Sequence, residues 1–296
     1  MSRHVTRSVR ARACAKINLT LRVLGIRPDG YHELRTTFQS VALHDTLTFT
    51  TAPGPFAITS DHPRCPTDAT NLVSIAARHL WRAAGRKGAP HDLQVHIAKR
   101  IPVEAGLGGG SSDAAAALRA LDLLWGLNLS AGELEDIARS LGADVAFFLE
   151  GGTVLGVERG DLLFPLQDAP PAWVVLARPD FGVSTKDAYA WWDEGHPVRR
   201  PATARRVSRA DEWVNDLQGP VAARHRTIQR LVRQLKQCGA RYAAMSGSGS
   251  AVFGLFDERA GAIKAAQAAS GPRVTTWITR TSGRREHLRV TAPTLC

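Results

Sequence analysis

Cysteine is scarce in this sequence, and its spacing suits neither metal binding nor disulfide bonding. The four cysteines lie far apart, at Cys14, Cys65, Cys238 and Cys296, and form no CxxC pair. Zinc sites and disulfide frameworks are built from closely or regularly spaced cysteines, so neither is expected. We interpret all four as reduced thiols with mostly structural roles.

Long apolar runs are also missing. No stretch approaches the ~20 apolar residues that cross a bilayer, so no transmembrane helix is expected. The first residues are basic but lack the apolar segment of a secretory signal. The sequence therefore predicts a cytoplasmic enzyme that has no membrane partner.

Acidic residues are outnumbered by basic ones. The chain has 38 Lys and Arg residues against 27 Asp and Glu residues, a formal charge of +11. Such a field attracts polyanions, which include nucleic acids, membrane surfaces and phosphorylated metabolites. The arginines are dispersed as on an ordinary solvated surface, with denser groups at 3–12, 199–209 and 280–289. Charge alone leaves the choice among these partners open.

Strand-like and helix-like stretches alternate along the chain and predict a mixed α and β fold. Strands are predicted at 13–24, 32–43, 46–51, 93–97, 153–157, 162–166, 173–177, 242–245 and 251–256. Helices are predicted at 71–84, 112–124, 131–141, 185–192, 222–237 and 258–269. A length of 296 residues favours two lobes. Prolines near 165–171 place the boundary there, so we divide the chain into residues 1–165 and 166–296.

A glycine-rich segment between a strand and an alanine-rich helix is the strongest sign of a ligand site. It consists of Pro102, Val103, Glu104, Ala105, Gly106, Leu107, Gly108, Gly109, Gly110, Ser111 and Ser112. Glycines let the backbone approach a ligand closely, and the unpaired amides of a following helix favour a polyphosphate. No Lys follows the glycines, so this is not a Walker A loop. The alternative is a flexible surface loop with a serine cap.

Two charged residues stand alone in apolar stretches. Asp144 lies within LGADVAFF, residues 141–148, where an unpaired buried carboxylate would be costly. It is an N-cap, a structural ion pair or a general base that accepts a proton from an attacking hydroxyl. Lys16 shares one face of its predicted strand with Asn18, and this pattern alone favours an ordinary solvent-exposed face. A second glycine-serine cluster at 246–250 is either a tight turn or a partner of the first loop.

These segments, in this order, resemble the GHMP kinase superfamily from Ala13 to about Val274. The superfamily motif is GLGGGSSDAA, residues 106–115. The segments AKINLTL, RPDGYHEL, LGADVAFF and SGSGSAVF are similar to one family within it, which phosphorylates cytidine diphosphate methylerythritol. The resemblance implies a two-lobed α+β GHMP kinase fold. Its N-terminal lobe would be ribosomal-protein-S5-like and its C-terminal lobe ferredoxin-like.

The resemblance also implies roles for particular residues. Lys16 and Asp144 occupy the catalytic positions of the family, and residues 102–112 occupy its ATP-binding loop. Its substrate-binding positions correspond to Asn18, Tyr31, His32, Thr185 and Tyr189, with the two tyrosines placed to sandwich the cytosine ring and Thr185 near the diphosphate. ATP is the implied co-substrate and Mg²⁺ the implied metal, with undetermined ligands. The implied partner is this small molecule and not a nucleic acid.

The chain departs from the family pattern in several places. Glu104 and Ala105 stand where the family has more glycine, and Ala146 stands where it usually has proline. The basic segment 197–209 and the tail beyond Val274 have no clear counterpart.

Two other functions stay open at this point. Another kinase of the superfamily, acting on homoserine, mevalonate or a sugar, would have no reason to carry RPDGYH. A basic RNA-binding protein would explain the charge but not a lone Asp144 opposite Lys16, and the sequence lacks interleaved aromatic and basic residues.

Overall fold

The structure, a computed structural model, describes residues 6–196 and 214–296, so the arginine-rich segment at 197–209 lies outside the described residues. Two separate sheets, each covered by helices, make up this part of the chain. The predicted α+β class is confirmed.

The first sheet is organised around two long antiparallel strands, β1 (Ser8–Ile26) and β2 (His32–Pro55). The other strands of this sheet are β3 (Ala57–Ser60), β4 (His91–Ala98), β5 (Thr153–Glu158) and β6 (Leu162–Pro165). The prediction of two strands at 32–43 and 46–51 was wrong, because β2 runs through both. A register shift opposite Cys14 and Ala15 takes up the extra residues as a β-bulge, which interrupts the alternating pattern.

Four helices pack on this sheet: α1 (Leu72–Ala83), α2 (Gly109–Trp125), α3 (Ala131–Leu141) and α4 (Val145–Glu150). The predicted cap of α3 is confirmed, since Ser130 and Glu133 form a reciprocal capping box. Helix α2 begins three residues earlier than predicted, inside the glycine-rich segment. Its alanine-rich face packs against the sheet and buries Leu118 and Leu121 completely.

The second sheet has four antiparallel strands in the order β10-β7-β9-β8. These are β7 (Trp173–Pro179), β8 (Tyr242–Met245), β9 (Val252–Phe256) and β10 (Val274–Arg280). Its helices are α5 (Thr185–Gly195), α6 (Gln218–Arg224), α7 (Arg226–Gln237) and α8 (Arg259–Ala269). The single helix predicted at 222–237 was wrong, since His225, with φ −127° and ψ 81°, separates α6 from α7.

The end of the chain returns to the first sheet. Helix α9 (Arg284–Thr291) leads to a short strand, β11 (Thr294–Leu295), which pairs with β1 at Val9 and Arg10. The division of the chain at residue 165 stays a prediction. No helix within the described ranges is long and apolar enough to cross a membrane.

Candidate active site

One cleft of about 970 Å³ brings the predicted site residues together. The glycine-rich segment contributes its residues 102–111 to the lining. The other predicted site residues that line it are Lys16, Asn18, Tyr31, His32, Asp144, Thr185 and Tyr189. These residues come from four distant parts of the sequence, so the fold assembles a single site from all the segments singled out above.

The glycine-rich loop ends in an open helix N-terminus. Helix α2 starts at Gly109, and Gly108, with φ 71°, precedes it without a side-chain cap. A Cβ on Gly108 would lie 2.6 Å from Phe148 Cζ and 3.2 Å from Lys16 Cγ, so only glycine fits here. The first amides of α2 have no partner within the helix, which suits them to bind phosphate oxygens.

Ser112 differs from the expectation for this loop. Its hydroxyl donates to the Cys14 carbonyl at 2.7 Å, and its amide donates to the Gly108 carbonyl at 2.8 Å. Its side chain is buried beside β1 and does not line the cleft. Ser112 therefore fixes α2 on β1, and Ser111 is the serine of this pair that faces the cleft.

A buried ion cluster, which was not predicted from the sequence, lies beneath the loop. Lys99 Nζ lies 2.6 Å from Asp45 Oδ2 and 2.7 Å from Asp113 Oδ2. Asp45 Oδ1 also accepts the amides of Arg100 and Ile101, where the chain enters the loop. Lys99 precedes the loop and Asp113 follows it, so the cluster ties both ends of the loop to β2.

Burial and the neighbouring charges shift the pKa values of Asp113 and Lys99. Burial raises the pKa of Asp113 to about 8, against the opposing effect of the adjacent Lys99. Burial by itself lowers the pKa of Lys99, but the two carboxylates outweigh it and raise that pKa overall. Asp113 Oδ1 is buried without a hydrogen-bond partner. The cluster thus keeps Lys99 charged while it leaves one carboxylate oxygen unsatisfied.

Lys16 and Asp144 meet beside the loop. Lys16 Nζ lies 3.5 Å from Asp144 Oδ2 and donates to Asn18 Oδ1 at 2.6 Å. Asn18 Nδ2 in turn donates to Thr36 Oγ1 at 2.7 Å, so neighbouring strands hold the lysine in place. Asp144 precedes α4 but its side chain makes no capping bond, which removes the N-cap interpretation. Its carboxylate is paired with Lys16 and remains partly open to the cleft.

The second glycine-serine cluster packs directly on the first loop. Ser246 Oγ donates to the Gly106 carbonyl at 2.9 Å, and the Ala251 amide donates to the Ala105 carbonyl at 3.1 Å. Further along, Ser248 Oγ lies 3.2 Å from Thr185 Oγ1 at the start of α5. The cluster is therefore a partner of the glycine-rich loop and links it to the second lobe.

An aromatic group lies at the cleft, where His32 and Tyr189 are part of the lining. The His32 and Tyr189 rings are stacked, with their centroids 4.4 Å apart, and Trp192 contacts His32 edge-on. His32 Nε2 lies 2.9 Å from Asp193 Oδ1, which assigns the ring proton to that nitrogen. Burial, with a smaller effect of Asp144, raises the pKa of Tyr189, so its phenol stays neutral.

Tyr31, in contrast, is 58% exposed, and the Arg159 guanidinium lies 5.3 Å from its ring centroid. Its ring lines the same cleft as Tyr189.

Glu104 lies in the glycine-rich segment and is part of the cleft lining. Its carboxylate pairs with Arg64, and both side chains are about half exposed. Its φ of 55° lies in the left-handed region that favours glycine. The departure from the family pattern therefore costs some backbone strain, and its negative charge is paired with Arg64.

Comparisons with known proteins show which family the chain resembles. The chain matches the family model of the GHMP kinases N terminal domain at residues 71–152 and that of GHMP kinases C terminal at 201–272. A 4-diphosphocytidyl-2-C-methyl-D-erythritol kinase of Synechococcus sp. (strain JA-3-3Ab) is 39% identical over 90% of this chain and 92% of its own. The kinase of the same name from Solibacter usitatus is 42% identical over 86% and 83%.

Solved structures give the same result. A crystal structure of 4-(cytidine 5'-diphospho)-2C-methyl-D-erythritol kinase aligns with a TM-score of 0.75 and 35% identity, covering 93% of this chain and 99% of that one. Homoserine kinase from Cytophaga hutchinsonii shares the fold, with a TM-score of 0.69, 17% identity and coverage of 100% and 99%. The two-lobed GHMP kinase fold is confirmed, and this chain belongs to the 4-diphosphocytidyl-2-C-methyl-D-erythritol kinase family of GHMP kinases.

Proposed function

We propose that this kinase transfers the γ-phosphoryl group of ATP to the 2-hydroxyl of 4-diphosphocytidyl-2-C-methyl-D-erythritol, a step of non-mevalonate isoprenoid synthesis. The observation that carries the proposal is the joint placement of three features in one cleft. These are the open end of α2, the Lys16–Asp144 pair and the aromatic group around Tyr189. One bound substrate could thereby contact the ATP phosphates, the group that accepts its proton and the surface that binds its base.

The glycine-rich loop is the ATP-binding element in this proposal. Residues 102–111 line the cleft, and the amides at the start of α2 would bind the phosphates. The Lys99 cluster supports that role because it holds both ends of the loop in place before ATP binds. Ser112 contributes by anchoring α2 and not by direct contact.

Asp144 accepts the proton of the attacking hydroxyl. As the acceptor oxygen forms its bond to the γ-phosphorus, the bond from that phosphorus to the bridging oxygen of ADP breaks. The hydroxyl proton passes to an Asp144 carboxylate oxygen, and ADP leaves with the electron pair. Such transfers depend mainly on positioning and charge stabilisation, which a fixed carboxylate in a closed cleft supplies.

Lys16 orients this base and stabilises negative charge beside it. Its side chain is only 4% exposed and is held by Asn18, so its ammonium group has little freedom to move. Asp144 is 33% exposed, so the carboxylate keeps an open side toward the acceptor.

Magnesium fits this cleft as an ion bound mainly by ATP. Within residues 6–196 and 214–296, no three His, Cys, Asp or Glu side chains are grouped to hold a metal. Kinase magnesium takes most of its ligands from phosphates and water, so such a group is not required. The Ser111 hydroxyl is the side chain that we assign to it, and the bound ion would neutralise phosphate charge.

The aromatic side chains that line the cleft would bind the cytidine. Tyr31 offers an exposed ring face, and Tyr189 offers a partly buried ring already stacked on His32. Aromatic faces bind nucleobases by stacking. Thr185, paired with Ser248, lies between this group and the loops, where it would meet the substrate diphosphate.

Incubation with ATP, Mg²⁺ and 4-diphosphocytidyl-2-C-methyl-D-erythritol tests the proposal. We expect stoichiometric release of ADP and a product heavier by one phosphoryl group, located on the tertiary carbon by phosphorus NMR. ADP release that does not depend on the acceptor would contradict the proposal. The cytoplasmic location and the absence of nucleic-acid partners stay predictions.

A further inference from the structure

Helix α4, which carries Asp144 at its start, is too short to hold its own position. It has six residues, Val145–Glu150, and isolated helices of this length are unstable in water. The Asp144 side chain makes no bond to the helix that follows it. The orientation of Asp144 therefore depends on the groups that hold α4 from outside.

Side chains from elsewhere hold the other end of α4. The last carbonyls of a helix have no partner within it. Here the Phe148 carbonyl accepts from His287 Nε2 at 2.9 Å, and the Leu149 carbonyl accepts from Arg119. Arg284 Nε lies 2.6 Å from Glu150 Oε1 and completes the contact.

His287 fits its place closely. It is fully buried, and its ring occupies the space that a Cβ on Gly151 would need. Thr291 Oγ1 donates to the His287 carbonyl at 2.8 Å and accepts from Arg119 Nη1 at 2.9 Å. The two side chains that cap α4 are thus linked to each other.

The His287 ring is a neutral donor. Burial lowers its pKa to about 4, with a smaller effect from Arg119 in the same direction. Nδ1 is buried without a partner, so the single ring proton belongs on Nε2, which faces the Phe148 carbonyl.

His287 belongs to α9, in the tail that sequence reasoning left without a role. Strand β11 anchors the tail by pairing with β1, the strand that carries Lys16. Both family models end before it, at residues 152 and 272. The tail is therefore fixed to the strand that carries Lys16, and it contacts the helix that follows Asp144.

We propose that His287 is a positioning residue, which sets the place of Asp144 relative to Lys16 by capping the Phe148 carbonyl at the far end of α4. The consequence for turnover rests on the proposed function of Asp144. The contact itself does not.

The experiment compares His287→Leu, which removes the donor at similar volume, with His287→Gln, which keeps an N–H donor near Nε2. Leu288→Ala, at a partly exposed neighbour on α9, is the matched control. The concentration of folded enzyme is first determined by titration with an ATP analogue. Turnover with ATP is then divided by that concentration, so that unfolded protein does not contribute. Hydrogen exchange of the amides at 145–151 is measured on the same samples.

For His287→Leu we expect kcat to fall about 10- to 100-fold, the scale of a small misplacement of a reacting group. Both KM values should stay within about twofold, and exchange at 145–151 should accelerate. His287→Gln should restore part of the wild-type kcat and part of the slow exchange. Leu288→Ala should change neither quantity.

The proposal is overturned if the amides at 145–151 exchange in His287→Leu at the wild-type rate. It is also overturned if this variant keeps the wild-type kcat per nucleotide-binding enzyme. If that variant does not fold, Thr291→Val removes only the hydroxyl that links Arg119 to His287. An unchanged kcat in Thr291→Val would then overturn the proposal as well. Failure of the proposed function is distinct, because the wild-type protein would not turn over the cytidine acceptor at all.

Discussion

Lys16 Nζ lies 3.5 Å from Asp144 Oδ2 and 2.6 Å from Asn18 Oδ1, so one buried ammonium joins two side chains of the site. The lysine is on β1, one of the two long strands of the first sheet, and the aspartate precedes the short helix α4. Their contact therefore depends on the packing of α4 against that sheet. The predictions below follow from this arrangement and from the loop beside it.

Asp144→Asn is expected to lower kcat by ~10²–10⁴, the usual contribution of a general base. The amide keeps the shape of the side chain, so ATP should bind with nearly unchanged affinity. Asp136→Asn, at an exposed position on α3, is the control. If folded Asp144→Asn enzyme retains more than half of the wild-type turnover, the aspartate is structural.

Valine at two adjacent glycines should have different effects. A Cβ on Gly109 would meet Ile101 Cγ2 at 3.1 Å and Lys99 Nζ at 3.3 Å, so Gly109→Val should lower the melting temperature. A Cβ on Gly110 would meet only Leu72 Cδ1, at 3.9 Å, so Gly110→Val should weaken ATP binding and leave the melting temperature nearly unchanged. Thermal unfolding and ATP titration of both variants decide this, and the reverse pattern would contradict the account of the loop.

Lys99→Met should destabilise the fold by about 3–5 kcal/mol, because Asp45 and Asp113 lose the buried cation that both contact. Arg100→Ala, which breaks an exposed pair with Asp61 at 3.2 Å, is the neighbouring control and should cost less than about 1 kcal/mol. Denaturant unfolding measures both. Equal costs would mean that the Lys99 cluster is not a buried ion cluster in solution.

Acid should destabilise the protein through His287. Burial lowers its pKa from 6.5 to about 4, so the unfolded chain binds the proton more readily. The contribution is complete above pH 6.5 and is lost as the pH falls toward 4, by about 3 kcal/mol in all. The free energy of unfolding of His287→Leu should therefore depend less on pH across this window than that of the wild type. Parallel pH profiles would mean that His287 is not buried as a neutral group.

Tyr31→Ala should raise the KM for the cytidine acceptor about 5- to 100-fold, the scale of a lost stacking contact. The KM for ATP should barely change, because Tyr31 lies outside the glycine-rich loop that is proposed to bind ATP. An equal rise in both KM values would place Tyr31 outside the base-binding surface.

The features that the sequence predicted correctly are those with a local signal. The cap at Ser130 and the glycine-rich loop are encoded within a few neighbouring residues. The catalytic roles of Lys16 and Asp144 follow from the family resemblance, because the isolated charge of Lys16 alone favours solvent exposure, and these roles stay predictions.

The features that the sequence missed depend on contacts between distant residues. Nothing in the local sequence indicates that Asp45, Lys99 and Asp113 are in contact. They come together only in the folded chain. The same holds for His287, whose partner, Phe148, comes from a different half of the chain. The ion pair of Glu104 could not be predicted either, because its partner, Arg64, is distant in sequence.

The central claim is that this kinase selects its acceptor through the cytidine diphosphate group, and the most direct test is a comparison of kcat/KM among acceptors. The panel consists of 4-diphosphocytidyl-2-C-methyl-D-erythritol, free methylerythritol, mevalonate and homoserine, each with saturating ATP and Mg²⁺. We predict that kcat/KM is at least about 100-fold higher for the cytidine compound, because the remote base positions the hydroxyl. Phosphorylation of any of the other three with equal efficiency would contradict the claim.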